Sequence, residues 1–183
     1  MARSVLKLGR WAAAAGLALG LLWGACAPAE AAPVVCSAGD AATITSLQQT
    51  VEAGVLYQEM VRRFGQPKQC AVKQEGTGTT LTFAFGHHAE MEARIDTAVE
   101  YSEQRVMFKG LNDDAALDLL KRAGAKFFGE DGCGVDWGKS ADEPNTDKPE
   151  EHARVYQGTA CNCKGRIEFR GKAVTGVALS TAC

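Results

Sequence analysis

Residues 40–64 repeat their apolar positions at helical spacing, but on two faces rather than one. At about 100° per residue, Ile44, Leu47, Val51 and Val55 point one way, whereas Leu56, Tyr57, Met60, Val61 and Phe64 point the other. A single straight helix would send these stripes in opposite directions. The pattern therefore predicts two helices, broken at Ala53-Gly54 and folded so that both stripes meet one core. Asp40 is the expected N-cap of the first helix and Gly54 its stop. Arg62 and Arg63 fill the last turn of the second, which Gly65 and Pro67 end. The period then changes to two. Leu81, Phe83 and Phe85 share one face; after Gly86-His87-His88, residues Met91, Ala93, Ile95, Thr97 and Val99 alternate with Glu90, Glu92, Arg94 and Asp96, and residues 105–109 add a third run. This is the signature of an antiparallel meander with one wet face. Asn112-Asp113-Asp114 caps a further helix with Ala116, Leu117, Leu119, Leu120 and Ala123 inward, Lys121 and Arg122 in its last turn, and Gly124 as its expected stop. Residues 129–151 keep no period, and 138–149 read as an exposed loop. Beyond them, residues 153–163, 166–170 and 173–181 read as three strands joined by hairpins at Lys164-Gly165 and Gly171-Lys172.

The first 31 residues stand apart. Arg3, Lys7 and Arg10 precede an apolar run from Trp11 to Ala25, the charged and apolar regions of a secretory signal. As a helix the run would be roughly 22 Å long, short of the roughly 30 Å of a bilayer core, so export is expected rather than a membrane span. Ala29-Glu30-Ala31 offers a cleavage site that would start the mature chain at Ala32. Leu22-Trp23-Gly24-Ala25-Cys26 offers the alternative of a lipobox with Cys26 lipidated, and its Trp is atypical there. The expected location is the periplasm or the exterior, with an outer-membrane lipoprotein as the alternative.

Either cleavage removes one of the 7 cysteines and leaves Cys36, Cys70, Cys133, Cys161, Cys163 and Cys183. An even set in an exported chain predicts three disulfides. The helical hairpin fixes one of them. An unbroken 25-residue helix would hold its ends about 37 Å apart, whereas a hairpin returns Cys70 to Cys36. Cys161 and Cys163 share a strand face, so each is expected to pair with Cys133 or Cys183, in an order left open. Two stretches resemble each other loosely, EMVRRFGQPKQCAV with DLLKRAGAKFFGEDGCGV and EGTGTTLTF with QGTACNCKGRIEF. The expected fold is α+β: a helical hairpin and a further helix packed on antiparallel sheet, arranged as two tandem helix-plus-sheet units if that likeness is a duplication. The units would be residues 32–110 and 111–183, forming two domains or one continuous one.

Composition narrows the function. The chain has 183 residues, 46% apolar, with 20 Lys+Arg against 22 Asp+Glu, which excludes a strongly basic nucleic-acid binder and a fully disordered chain. The balance hides an asymmetry: residues 129–151 carry 8 acids and 2 bases, and residues 152–183 carry 5 bases and 1 acid. An acidic loop thus lies beside a basic sheet, with Arg166, Glu168 and Arg170 on one side of their strand. That pairing reads either as a docking surface for another protein or as internal complementarity. Trp137, beside the loop, is a candidate contact anchor if exposed. No catalytic motif or phosphate-binding loop is present, and His87-His88 with Glu90 reads as a solvated turn rather than a metal site. No catalytic, cofactor or metal residue is therefore assigned.

The run Val51-Glu52-Ala53-Gly54-Val55-Leu56-Tyr57-Gln58-Glu59-Met60-Val61-Arg62-Arg63-Phe64-Gly65-Gln66-Pro67 resembles the helix-turn-helix opening of two groups. One is the small outer-membrane-assembly lipoproteins of the SmpA/OmlA type; the other is the β-lactamase-inhibitor-protein-like α+β modules. The resemblance covers residues 41–110, and Leu56 stands where those families carry a helix-capping Thr. It implies an envelope module that presents a sheet face to a protein partner. The expected function is protein–protein binding without catalysis, as an inhibitor or an envelope assembly accessory factor, with Trp137, Arg166 and Arg170 as candidate contacts. A periplasmic hydrolase or small-ligand-binding protein built from dispersed residues is the alternative.

Overall fold

Two short helices come first in the computed structural model, which describes residues 34–36, 41–129 and 132–182. The leader, Cys26, Ala32, the Asp40 cap and Cys183 lie outside the described residues. Helices α1 (Ala41–Glu52) and α2 (Val55–Phe64) break at the predicted glycine. Ile44 and Val51 of α1 are buried with Leu56, Tyr57 and Met60 of α2, so the two stripes do converge on one core. Gly65 ends α2 at a φ of 77°, a left-handed conformation that suits a residue without a Cβ.

Glu59 is the polar exception on α2. Its carboxylate is 8% exposed and accepts from Arg62 Nε at 3.0 Å, Arg62 Nη2 at 2.6 Å and Arg63 Nε at 2.6 Å. The Arg62 hydrogen bonds, joined by those of Arg63 and opposed by burial, hold its pKa down at about 2. A carboxylate depressed in the fold adds stability above its unfolded value near 4.5 and loses it as pH falls toward 2. Because Arg62 stands largely in solvent, the contribution is about 1–2 kcal/mol, below the full shift. Urea midpoints at pH 6 and pH 3 should therefore differ less in Glu59→Gln than in the parent protein.

Four strands form the first meander: β1 (Gln69–Glu75), β2 (Gly78–Ala84), β3 (Glu90–Asp96) and β4 (Tyr101–Met107). Helix α3 (Asp113–Phe127) follows, its Asn112 side chain accepting from Ala115 N at 2.8 Å as the expected N-cap. A second meander completes the chain: β5 (Ala141–Pro144), β6 (Glu151–Gln157), β7 (Lys164–Arg170) and β8 (Ala173–Ala182). The strands make one antiparallel sheet in the order β1-β2-β3-β4-β8-β7-β6-β5. The fold is α+β, as the sequence implies, and the two meanders meet through their last strands. Leu81, Phe83, Met91, Val106, Ile167, Val177 and Leu179 point from the sheet into the core beneath the helices. Among the described residues no helix is long and apolar enough to cross a membrane.

Several expectations need correction. Gly124 does not stop α3, which runs one turn further to Phe127. Residues 138–149 are not wholly loop, since Ala141–Pro144 pairs with β6 as an edge strand. Gln69–Glu75 is a further strand that the alternation did not disclose. The β6–β7 hairpin turns at Cys161-Asn162, both at positive φ, rather than at Lys164-Gly165. Its closure, Gly158 N to Cys163 O at 2.7 Å, puts Lys164 and Gly165 inside β7.

Disulfides join Cys36 to Cys70 and Cys133 to Cys163, with Cα separations of 5.1 and 6.0 Å. Two bonds therefore stand among the described residues where three were expected, because Cys183 falls outside them. The first is the pair that the hairpin argument selects.

Candidate functional site

The helices cover one face of the sheet; the other is built from the alternate positions of every strand. Register lines up Glu92, Arg105, Ala178, Arg166 and Val155 across five strands. The adjoining row is Met107, Gly176, Glu168, Ala153 and Glu143. Long charged side chains on β3, β4 and β7 thus flank Gly176 and Ala178 on β8. That smallness is used. Arg105 on β4 reaches across β8 to Glu168 on β7, with Nη2 at 2.7 Å and Nε at 3.1 Å from Oε2. A Cβ at Gly176 would lie 2.6 Å from Val106 O and 3.3 Å from Glu168 Oε2, so a larger residue would displace this bridge.

Beside the bridge lies a depression of about 720 Å³, bounded by β4 on one side and the β5–β6 hairpin on the other. Arg166 lies in it with Nη2 3.7 Å from Glu143 Oε2, too long for a hydrogen bond. Its Nε is buried without a partner, the one such side-chain nitrogen or oxygen among the described residues. An unpaired buried donor is costly and marks a place where an acceptor fits. Farther along the open face, Tyr101 Oη donates to Glu103 Oε2 at 2.7 Å. Burial, with that bond and the Glu103 charge, raises the Tyr101 pKa to about 12, so the phenol stays a donor at neutral pH.

The three sequence candidates separate. Arg166 and Arg170 line the same depression, and Arg170 Nη2 is engaged by Glu151 Oε1 at 2.6 Å. Trp137 lies in the helical layer instead. Its half-buried ring packs against α3 and β7 and sits 5.6 Å from the Tyr156 ring, so it is a packing residue and not an exposed anchor. Gly124 and Gly165 make room for it: a Cβ would come within 2.7 Å and 2.5 Å of its ring atoms. This accounts for the misread Gly124, whose role is close approach rather than termination. Gly165→Ala should cost about 1–3 kcal/mol in a denaturant titration, because the strand backbone cannot retreat from the indole.

The acidic segment pairs in part with its own protein, and Asp113 at the start of α3 joins it. Asp142 and Asp113 face Arg154, Glu143 faces Arg166, and Glu151 faces Arg170 and Lys148. Internal complementarity therefore takes up part of the charge asymmetry, and the buried donor left without an acceptor is Arg166 Nε. Arg105 and Glu143 escaped the sequence reading. Arg105 alternates with Val106 and was recoverable from period alone; Glu143 lay in a stretch that gives no strand signal. His87 and His88 are exposed in the β2–β3 turn with ring centroids 6.5 Å apart, and no group of three metal-ligating side chains occurs among the described residues. Comparison with known protein families, with curated proteins and with solved structures finds no match.

Proposed function

We propose that this is an exported, non-enzymatic binding protein that docks another envelope or exported protein on the open face of its sheet. An acidic side chain of the partner enters the depression at Arg166. The observation that carries this reading is the buried Arg166 Nε without an acceptor, on a sheet face that no helix among the described residues covers. The disulfides suit an oxidising compartment. The SmpA/OmlA and β-lactamase-inhibitor-protein-like resemblance supports the same use of a sheet face, as an inhibitor or an assembly accessory factor. An ion pair formed in a partly desolvated hollow would lend the contact specificity and slow its dissociation.

Photo-crosslinking residues placed at Glu92, Lys164 and Ser180 on the open face, and at Gln58 and Lys121 on the helical layer, test the proposal in the native envelope. Capture of one partner species from the open-face positions alone, weakened at least about tenfold by Arg166→Glu with unchanged melting, is the expected result. Equal capture from both layers, no capture, or indifference to the charge reversal would discard it.

A further inference from the structure

On the helix side of the sheet, remote from the depression at Arg166, a crevice of about 880 Å³ opens between α1, the last turn of α3 and strands β2 to β4. Leu47, Val51, Val55, Ile95, Ala123 and Phe127 give it apolar walls. Its size suits a small molecule, and such sites combine apolar walls with a few placed polar groups. Gln104 is the group that needs explaining. It is 9% exposed, its backbone is held opposite Ala93 and Leu179, and its side chain points from β4 toward the α1–α2 turn. Among the described residues neither end of its amide has a hydrogen-bond partner. A leucine there would complete the core, whereas the amide nitrogen and oxygen keep some exposed surface and open onto the crevice, where a ligand would replace water as their partner.

Lys126 is the charged side chain that the crevice presents on the helix side, one positive charge; Arg94 and Glu103 border it through strands whose register turns their side chains to the open face, where Arg94 lies over the Tyr101 ring. Lys126 Nζ donates to Ala53 O at 2.5 Å, a bond that ties α3 to the α1–α2 turn and uses one of its three protons. We propose that this crevice binds a small amphipathic monocarboxylate, its apolar body against the α1 and α3 walls. Its carboxylate accepts from Gln104 Nε2, and Lys126 supplies the balancing charge. The site is independent of the sheet-face reading, and either can fail alone.

Decanoate is the probe, and the side-chain amide resonances of Gln104 in a ¹⁵N-labelled protein are the readout. Saturable shifts of those resonances are expected, with affinity falling at least about tenfold in Gln104→Leu. Ser46→Trp, an exposed substitution on the α1 wall, should abolish the shifts by blocking the crevice while leaving the fold intact. Decanamide, which keeps the chain and carbonyl but lacks the charge, should bind more weakly. Unmoved Gln104 resonances, shifts scattered over the surface without saturation, or equal binding to the parent, Gln104→Leu and Ser46→Trp proteins would overturn the proposal. If Gln104→Leu fails to fold, the Gln104 resonances of the parent protein and the Ser46→Trp variant decide.

Discussion

Phe83→Ala is expected to destabilise the protein by about 3–5 kcal/mol, read as a lowered denaturant midpoint with an unchanged slope. Phe83 is fully buried on β2, and its ring meets the Tyr57 ring edge-on at 5.3 Å. Tyr57 also packs edge-on against Phe85 at 5.6 Å. Removing the Phe83 ring leaves a cavity between α2 and the sheet that Tyr57 cannot fill without leaving Phe85. The adjacent strand supplies the contrast: Glu92 is opposite Thr82 on the open face, one position from Phe83's row, and Glu92→Ala should stay within about 0.5 kcal/mol. A ratio near one between the two would mean that the helices do not cover the face assigned to them.

Replacing Cys133 and Cys163 together by serine should cost about 3–4 kcal/mol, the chain-entropy value for a loop of this length. The bond spans 30 residues and fastens the turn after α3 to the β6–β7 hairpin. Backbone bonds from Thr159 N and Ala160 N to Cys133 O, at 3.1 and 3.3 Å, reinforce the junction but depend on the same placement. Trp137 is the sole tryptophan after residue 31, so in a variant lacking residues 1–31 its fluorescence reports whether the segment stays packed on Gly124 and Gly165. A red shift preceding global unfolding is expected in the double variant. Non-reducing peptide mapping of the parent protein should find Cys161 joined to Cys183, since Ala182 N donates to Cys161 O at 2.9 Å and the other four cysteines of the mature chain are already paired.

What could be read from the chain follows burial. The α1–α2 break was legible because two apolar stripes on one straight helix would have been incompatible with a single core. The Cys36–Cys70 pair then followed from the reversal of direction. Strands β2, β3 and β8 sit inside the sheet, where each alternate side chain must be apolar, and their period is plain. Strands β1 and β5 are its two edges. They pair on one side only, and β5 is exposed throughout, so no apolar repeat distinguishes it from a loop. Close approach was the other blind spot: Gly124 carries the local grammar of a helix stop, and only the distant Trp137 explains it. The same holds for the candidate site, where Arg166 could be placed on a face but its missing acceptor could not.

The last of the described strands occupies the middle of the sheet. Strand β8 lies between β4 and β7, and its pairing of Ala182 with Tyr101 joins residues far apart in sequence. A chain delivered N-terminus first can assemble β1 to β4 early, but β4 keeps an unpaired edge and the second meander lacks its inner partner until β8 arrives. Non-local pairing of this kind makes folding slow relative to helical proteins. Completion is thus deferred until β8 is in place, and truncating β8 would leave two half-sheets with their inner edges exposed to aggregation.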